Sequence, residues 1–108
     1  MLGTPIPNAQ GKSEYHWLTF KEVDALAKDF AAGCRALDLN PEVDAEGKKW
    51  RFLGIQSKNR KEWGITHLAN MYMKSTTIAL YDTLGNDALK YVINQTELTT
   101  VVCQGDLV

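Results

Sequence analysis

Apolar and polar positions repeat on two different periods along this chain, and each change of period marks an element. Phe20, Val23, Leu26, Ala27, Phe30, Ala31, Cys34 and Leu37 recur every three or four residues, with Lys21, Asp24, Lys28, Asp29 and Arg35 between them. That spacing predicts a surface helix docked by one face. Thr19 with Glu22 three residues later predicts a capping box at its start, each side chain satisfying a free backbone N–H of the other. A second helical pattern covers about 61–74, where Trp63, Ile65, Leu68, Ala69, Met71, Tyr72 and Met73 take up most of the circumference. Burial on more than one side is expected there. A third helix is expected over 87–95, with Leu89, Val92 and Ile93 on it and Asn86 placed to cap it.

Short apolar, partly β-branched runs separate these helices. Residues 51–56, 76–81 and 98–103 read as strands, the middle one as a central strand. Residues 1–16 read as a loop segment, punctuated by Gly3, Pro5, Pro7, Asn8 and Gly11. Residues 38–50 read as a polar connection in which Pro41 stops any helix and Glu42, Asp44, Glu46, Lys48 and Lys49 form a solvated charge run. The expected fold class is therefore α/β: a partial three-layer subdomain, with a helix followed by β-α-β-α-β, parallel strands and right-handed crossovers.

Composition narrows the function classes. The chain has 108 residues, 12 basic and 13 acidic side chains, a net charge of −1, and 44% apolar residues. There is no cationic excess to release counterions from phosphates, so no nucleic-acid partner is expected. Aromatic and aliphatic residues recur throughout, which excludes a disordered tail. No more than four apolar residues run together, at 78–81, so no transmembrane segment is expected. One modest domain is the most this length supports. Met1 is not followed by a signal peptide or an Arg-rich transit pattern. The sequon at Asn94-Gln95-Thr96 falls within a helical pattern and carries no weight for secretion.

Candidate chemistry is thin. Glycines stand at 3, 11, 33, 47, 54, 64, 85 and 105, none within six residues of another. A dinucleotide fingerprint needs them two and three apart and a phosphate-binding P-loop five apart, so both are absent. His16 and His67 are far apart in sequence, and no Cys or carboxylate pair has metal-ligand spacing. His67 reads as a hydrogen-bonded core histidine and His16 as a surface one. Cys34 and Cys103 read as two buried free thiols rather than a disulfide. Lys58, Arg60 and Lys61 cluster where a strand turns into a helix, a place where anions bind, but they read as a solvated turn with Glu62 beside it before a phosphate site. Trp63 reads as a core anchor before a pocket wall, and Asp82 as a turn aspartate bonded to its own backbone before a general base.

Several short blocks, in order, resemble one family. Tyr15-x-Trp17-Leu18-Thr19-Phe20-Lys21-Glu22-Val23, Asn59-Arg60-x-Glu62-Trp63, Leu80-Tyr81-Asp82-Thr83-Leu84-Gly85 and Tyr91-x-Ile93-Asn94-Gln95-x-Glu97-Leu98 resemble the start of the adenylating domain of eukaryotic long-chain acyl-CoA synthetases, and Leu2-Gly3-Thr4 is similar to the segment just upstream. The resemblance covers nearly the whole chain. It implies that 17–108 are part of the N-terminal α/β subdomain of an adenylating domain. It implies ATP, magnesium and coenzyme A as cofactors of the full-length enzyme, which joins a fatty acid to ATP, releases pyrophosphate and passes the acyl group to coenzyme A. It implies an intracellular protein, with membrane association at mitochondria, endoplasmic reticulum or peroxisomes common in the family.

The family's Ser/Thr/Gly-rich phosphate loop, Tyr-Gly-x-Thr-Glu stretch, ribose-binding aspartate and C-terminal lysine do not occur in these residues. No catalytic, cofactor-binding or metal-binding residue is therefore carried over, and no cofactor is expected on this segment itself. A piece of an enzyme, inactive alone, is the first expectation, with the rest of that enzyme covering the sheet. A non-catalytic accessory subunit, with neighbouring protein subunits covering it instead, is the alternative. Either way the segment is expected to be incomplete. Four large apolar side chains left in water forgo about 6–12 kcal/mol, which rivals the roughly 5–15 kcal/mol stability of a whole domain.

Overall fold

The computed structural model of the protein describes residues 1–107; the last residue of the expected subdomain, Val108, lies outside the described residues. The first departure from expectation is at the N-terminus. Residues 1–16 are not a loop: β1 (Leu2–Pro7) pairs antiparallel with β2 (Ser13–Leu18), from Leu2 opposite Leu18 to Pro7 opposite Ser13. Asn8 builds the turn, its Oδ1 accepting the N–H groups of Gln10 and Lys12 at 3.0 Å each. Gly11 takes φ +75°. Pro5 and Pro7 break nothing, because a strand with one neighbour has amide positions that need no partner.

Helix α1 (Phe20–Ala36) begins as expected. Thr19 Oγ1 accepts the Glu22 N–H at 3.2 Å, and Glu22 Oε2 accepts the Thr19 N–H at 2.7 Å. Val23, Ala27, Ala31 and Cys34 form its buried line. The polar connection that follows holds a second correction. Its charges sit on a hairpin of β3 (Glu42–Ala45) and the first residues of β4 (Lys48–Gln56). Glu46 and Gly47 both have positive φ, at 53° and 71°, as a two-residue turn between right-twisted strands requires. Opposite charges face each other across it: Lys49 Nζ lies 3.2 Å from Glu42, and Arg51 3.5 Å from Glu42.

Strand β4 is the centre of the sheet. It pairs in parallel with β5 (Thr76–Leu80) through Phe52–Gln56, and with β6 (Val101–Cys103) through Gly54–Gln56. The expected central strand, β5, thus has one neighbour among the described residues and stands at an edge. An apolar run shows that a strand is covered, not on which side its neighbours lie. Helix α2 (Lys61–Tyr72) joins β4 to β5 and α3 (Asn86–Thr96) joins β5 to β6. Gly85, not Asn86, holds the N-cap position of α3, and no side chain caps it. A final short 3-10 turn spans Gly105–Leu107.

The spatial order β5-β4-β6 sends the chain one way and then back past its starting strand. Right-handed crossovers therefore place α2 and α3 on opposite faces of the sheet. The core lies on the α2 side, where Ala27, Ala31 and Cys34 of α1 meet Ala69 and Met73 and pack toward Leu53. The α/β layering is as expected, and α2 is packed on several sides, by α1, the sheet and β1. No helix among the described residues is long and apolar enough to cross a membrane.

Candidate functional site: the carboxyl edge of the sheet

In an open parallel sheet the backbone diverges where the strand order reverses, leaving a crevice beyond the carboxyl ends of the strands. Here the reversal lies between β4 and β6. A cleft of about 210 Å³ occupies it, walled by Ile55, Trp63, Val102 and Cys103 and rimmed by Arg60 and Gln104. A neighbouring cleft of about 420 Å³ lies between the ends of β4 and β5, against Lys58, Trp63, Tyr81 and Asp82. The blocks 59–63 and 80–85, separated in sequence by the sixteen residues 64–79, therefore meet at one edge.

The loops of this edge are tied together. Lys58 donates its backbone N–H to Gln104 Oε1 at 2.7 Å, and Gln104 donates its own to the Gln56 carbonyl at 3.2 Å. Gln56 Nε2 donates to the Tyr81 carbonyl at 3.4 Å. Neither glutamine is singled out by the sequence pattern. Their function here depends on strand neighbours that local spacing does not reveal.

The cations behave as an ordinary turn. Arg60 occupies the N-cap of α2 without capping it. Its Nε pairs with Glu62 Oε2 at 2.7 Å. The bond to Arg60 holds the Glu62 carboxyl below the usual carboxylate range. Lys58 and Lys61 share the outer side of this turn with β1, along a cleft of about 470 Å³. Asp82 is half-buried on the β4/β5 cleft wall. Among the described residues its carboxylate makes no hydrogen bond, so the self-bonded turn expected of it is not formed.

Trp63 is a wall of both clefts rather than a fully buried anchor. His67, one turn along α2, lies against its ring with centroids 5.4 Å apart. His67 Nδ1 is 2.9 Å from Thr77 Oγ1, so the expected hydrogen bond is present on a half-buried ring. His16 is exposed on β2. Both cysteines are free; Cys34 is buried, whereas Cys103 is only half-buried, at the cleft wall. Burial pushes the Cys34 thiol up, away from the reactive thiolate.

These residues do not make a nucleotide cradle by themselves. The loop after β4 contains no glycine, its arginine is engaged by Glu62, and no group of three His, Cys, Asp or Glu among the described residues is arranged to hold a metal. No chemical step is therefore built on ATP or magnesium at this edge.

Comparison with known proteins gives the fold a family. Residues 5–108 match the family model for AMP-binding enzymes. Acyl-CoA ligase 891, peroxisomal, of Penicillium roqueforti is 36% identical over 103 residues, which are 94% of this chain and 14% of that protein. Fatty acyl-CoA synthetase A of Dictyostelium discoideum is 34% identical over 90% of this chain and 14% of its own length. Long-chain-fatty-acid–CoA ligase 5 of Rattus norvegicus is 34% identical over 94% of this chain, again 14% of its length. The chain thus spans about 14% of the curated relatives it matches. Apo MatB from Rhodopseudomonas palustris shares the fold with a TM-score of 0.67 at 21% identity, over 98% of this chain and 18% of that one. By its sequence over nearly its whole length and by its fold, the chain belongs to the AMP-binding enzyme family.

Proposed function

We propose that this chain is part of a long-chain fatty acid–CoA ligase and supplies one α/β layer of its adenylating domain. In that role it takes no catalytic step. It builds the floor and one edge of a crevice, and the ATP-, magnesium- and coenzyme A-dependent chemistry belongs to residues outside these 108. The observation that carries the reading is the meeting of the 59–63 and 80–85 blocks around Trp63 at the carboxyl edge of the sheet. Ligand crevices of open α/β sheets form there, and relatives named as a fatty acyl-CoA synthetase and a long-chain-fatty-acid–CoA ligase match across both blocks. Within that domain we assign 17–108 to the N-terminal α/β subdomain, with the β1–β2 hairpin packed against the start of α2; Gly64 of α2 faces Leu2.

The test is a fatty-acid-dependent ATP–pyrophosphate exchange assay. The full-length polypeptide is expected to exchange with palmitate, and the 108-residue chain alone is expected to show none. Exchange by the short chain, or none by the full-length protein with any fatty acid, overturns the reading. A native polypeptide of 12.1 kDa that co-purifies with other subunits would instead establish the accessory role.

A further inference from the structure

We propose that Trp63 is a specificity-determining partition of the crevice, and that a half-buried polar relay through His67, Thr77 and Asn70 fixes its orientation. The ligand class, an apolar acyl chain, rests on the ligase reading; the partition and its support rest on geometry alone.

Trp63 stands between the β4/β6 cleft of about 210 Å³ and the β4/β5 cleft of about 420 Å³ and walls both, together with Ser57 just after β4; the indole is much the larger of the two shared walls. Ile55 and Val102 line the first with apolar surface, and Leu80 and Tyr81 flank the second. Truncating the indole to a methyl group would join them into one longer trough across the end of β4. The indole thus limits how much of an apolar chain can lie across this edge.

A wall of this kind must not swing. His67 is four residues along α2 from Trp63, on the same helix face, with its ring tilted 34° to the indole. His67 is itself held from β5, its Nδ1 2.9 Å from Thr77 Oγ1. Asn70 Nδ2 donates to the same oxygen at 2.8 Å. A threonine hydroxyl has one hydrogen to give and accepts through its lone pairs. With Asn70 donating in, Thr77 Oγ1 still meets His67 Nδ1, as donor or as second acceptor according to the imidazole tautomer. Helix and strand are thus cross-tied directly behind the indole. Asn70 is 1% exposed, and its Oδ1 has no partner among the described residues. An unpaired buried acceptor costs stability. Its other end, the Nδ2 group, is the one that bonds Thr77.

The test uses the full-length protein labelled with 5-fluorotryptophan, the Trp63 fluorine line being assigned by its loss in Trp63→Phe. The wild type is expected to give one narrow line. Thr77→Val, which keeps shape and removes the hydroxyl, is expected to split that line or broaden it at least about twofold, and Thr77→Ser to restore it. His67→Phe, which keeps the ring contact and removes the tie, is expected to act like Thr77→Val and serves if that variant unfolds. In steady-state assays Trp63→Ala is expected to shift kcat/KM toward longer or bulkier fatty acids by roughly 10-fold, mostly through KM, and Trp63→Phe to shift it the same way but less. A Trp63 line unchanged in both Thr77→Val and His67→Phe overturns the relay. A chain-length profile unchanged in Trp63→Ala overturns the partition. A wild-type protein that activates no fatty acid overturns the ligase reading and the acyl ligand with it, while the fluorine line still decides the positioning.

Discussion

Helices α1 and α3 carry the same kind of one-sided apolar stripe, and their fates differ. Helix α1 buries Val23, Ala27, Ala31 and Cys34 against α2 and the sheet. Helix α3 buries no residue; Leu89, Val92 and Ile93 are half-covered and Tyr91 is 68% exposed. A stripe specifies a face and its direction, but the partner has to come from elsewhere. On the α1 side this chain supplies that partner as α2. On the α3 side it supplies only the sheet. The hairpin teaches the same lesson, since Tyr15 and Trp17 stack on each other with centroids 5.7 Å apart yet stay more than 60% exposed. A chain that spans about 14% of its relatives carries one completed interface and several half-made ones.

The sharpest way to break the contrast is to remove equal chemistry from each side. Leu53 is fully buried in β4, so Leu53→Ala is expected to cost about 2–5 kcal/mol. Leu89→Ala on α3 is expected to cost less than about 1 kcal/mol in the 108-residue chain. Urea unfolding followed by circular dichroism measures both, and equal losses would erase the distinction. Gly54 tests the sheet on the α3 side. A Cβ there would meet Leu98 Cδ2 at 2.8 Å and Val101 Cγ2 at 3.1 Å. Gly54→Ala is expected to destabilise by about 1–3 kcal/mol if that side is packed as described. A neutral result would mean that Leu98 moves aside freely and that this side is looser still.

Much of the α1 side was legible because its determinants are local. Thr19 and Glu22 lie within one turn of each other, each residue of the stripe lies within about a turn of the next, and the helix forms as read. The hairpin at 2–18 was not legible, because Pro5, Pro7 and Gly11 mark turns in any window while the pairing of Leu2 with Leu18 is a non-local event. Strand β3 hid in a charge run whose partners face one another only once Glu46 and Gly47 turn the chain. At the candidate site, Arg60, Glu62 and Trp63 stood out through their motif. Gln56 and Gln104, which tie the loops together, did not, since nothing near them in sequence announces which strands adjoin. The turn at Asp82 forms without its carboxylate, the Leu84 N–H bonding to the Tyr81 carbonyl instead, so the residue type alone does not reveal its role.

A smaller effect sharpens the local half of the contrast. Thr19→Ala removes the cap of α1 and is expected to cost about 1 kcal/mol. The backbone N–H and hydroxyl of Thr19 lower the Glu22 pKa from its ordinary 4.5. A carboxyl depressed in the folded state stabilises above its unfolded value and ceases to as pH falls through its folded value. The Thr19→Ala deficit is therefore expected in full at neutral pH and to shrink below about pH 4.5, read by thermal melts of both proteins across pH 3–7. A deficit independent of pH would mean that Glu22 does not share in the cap.

Amide hydrogen exchange on the 108-residue chain, resolved by element, asks most directly whether one side of this sheet is finished and the other is not. Slow exchange in α1, α2 and β4 together with fast exchange throughout α3 is the expected pattern, with α3 becoming protected in the full-length protein. Protection of α3 equal to that of α1 in the short chain alone would contradict it, and would mean that these residues complete their own fold.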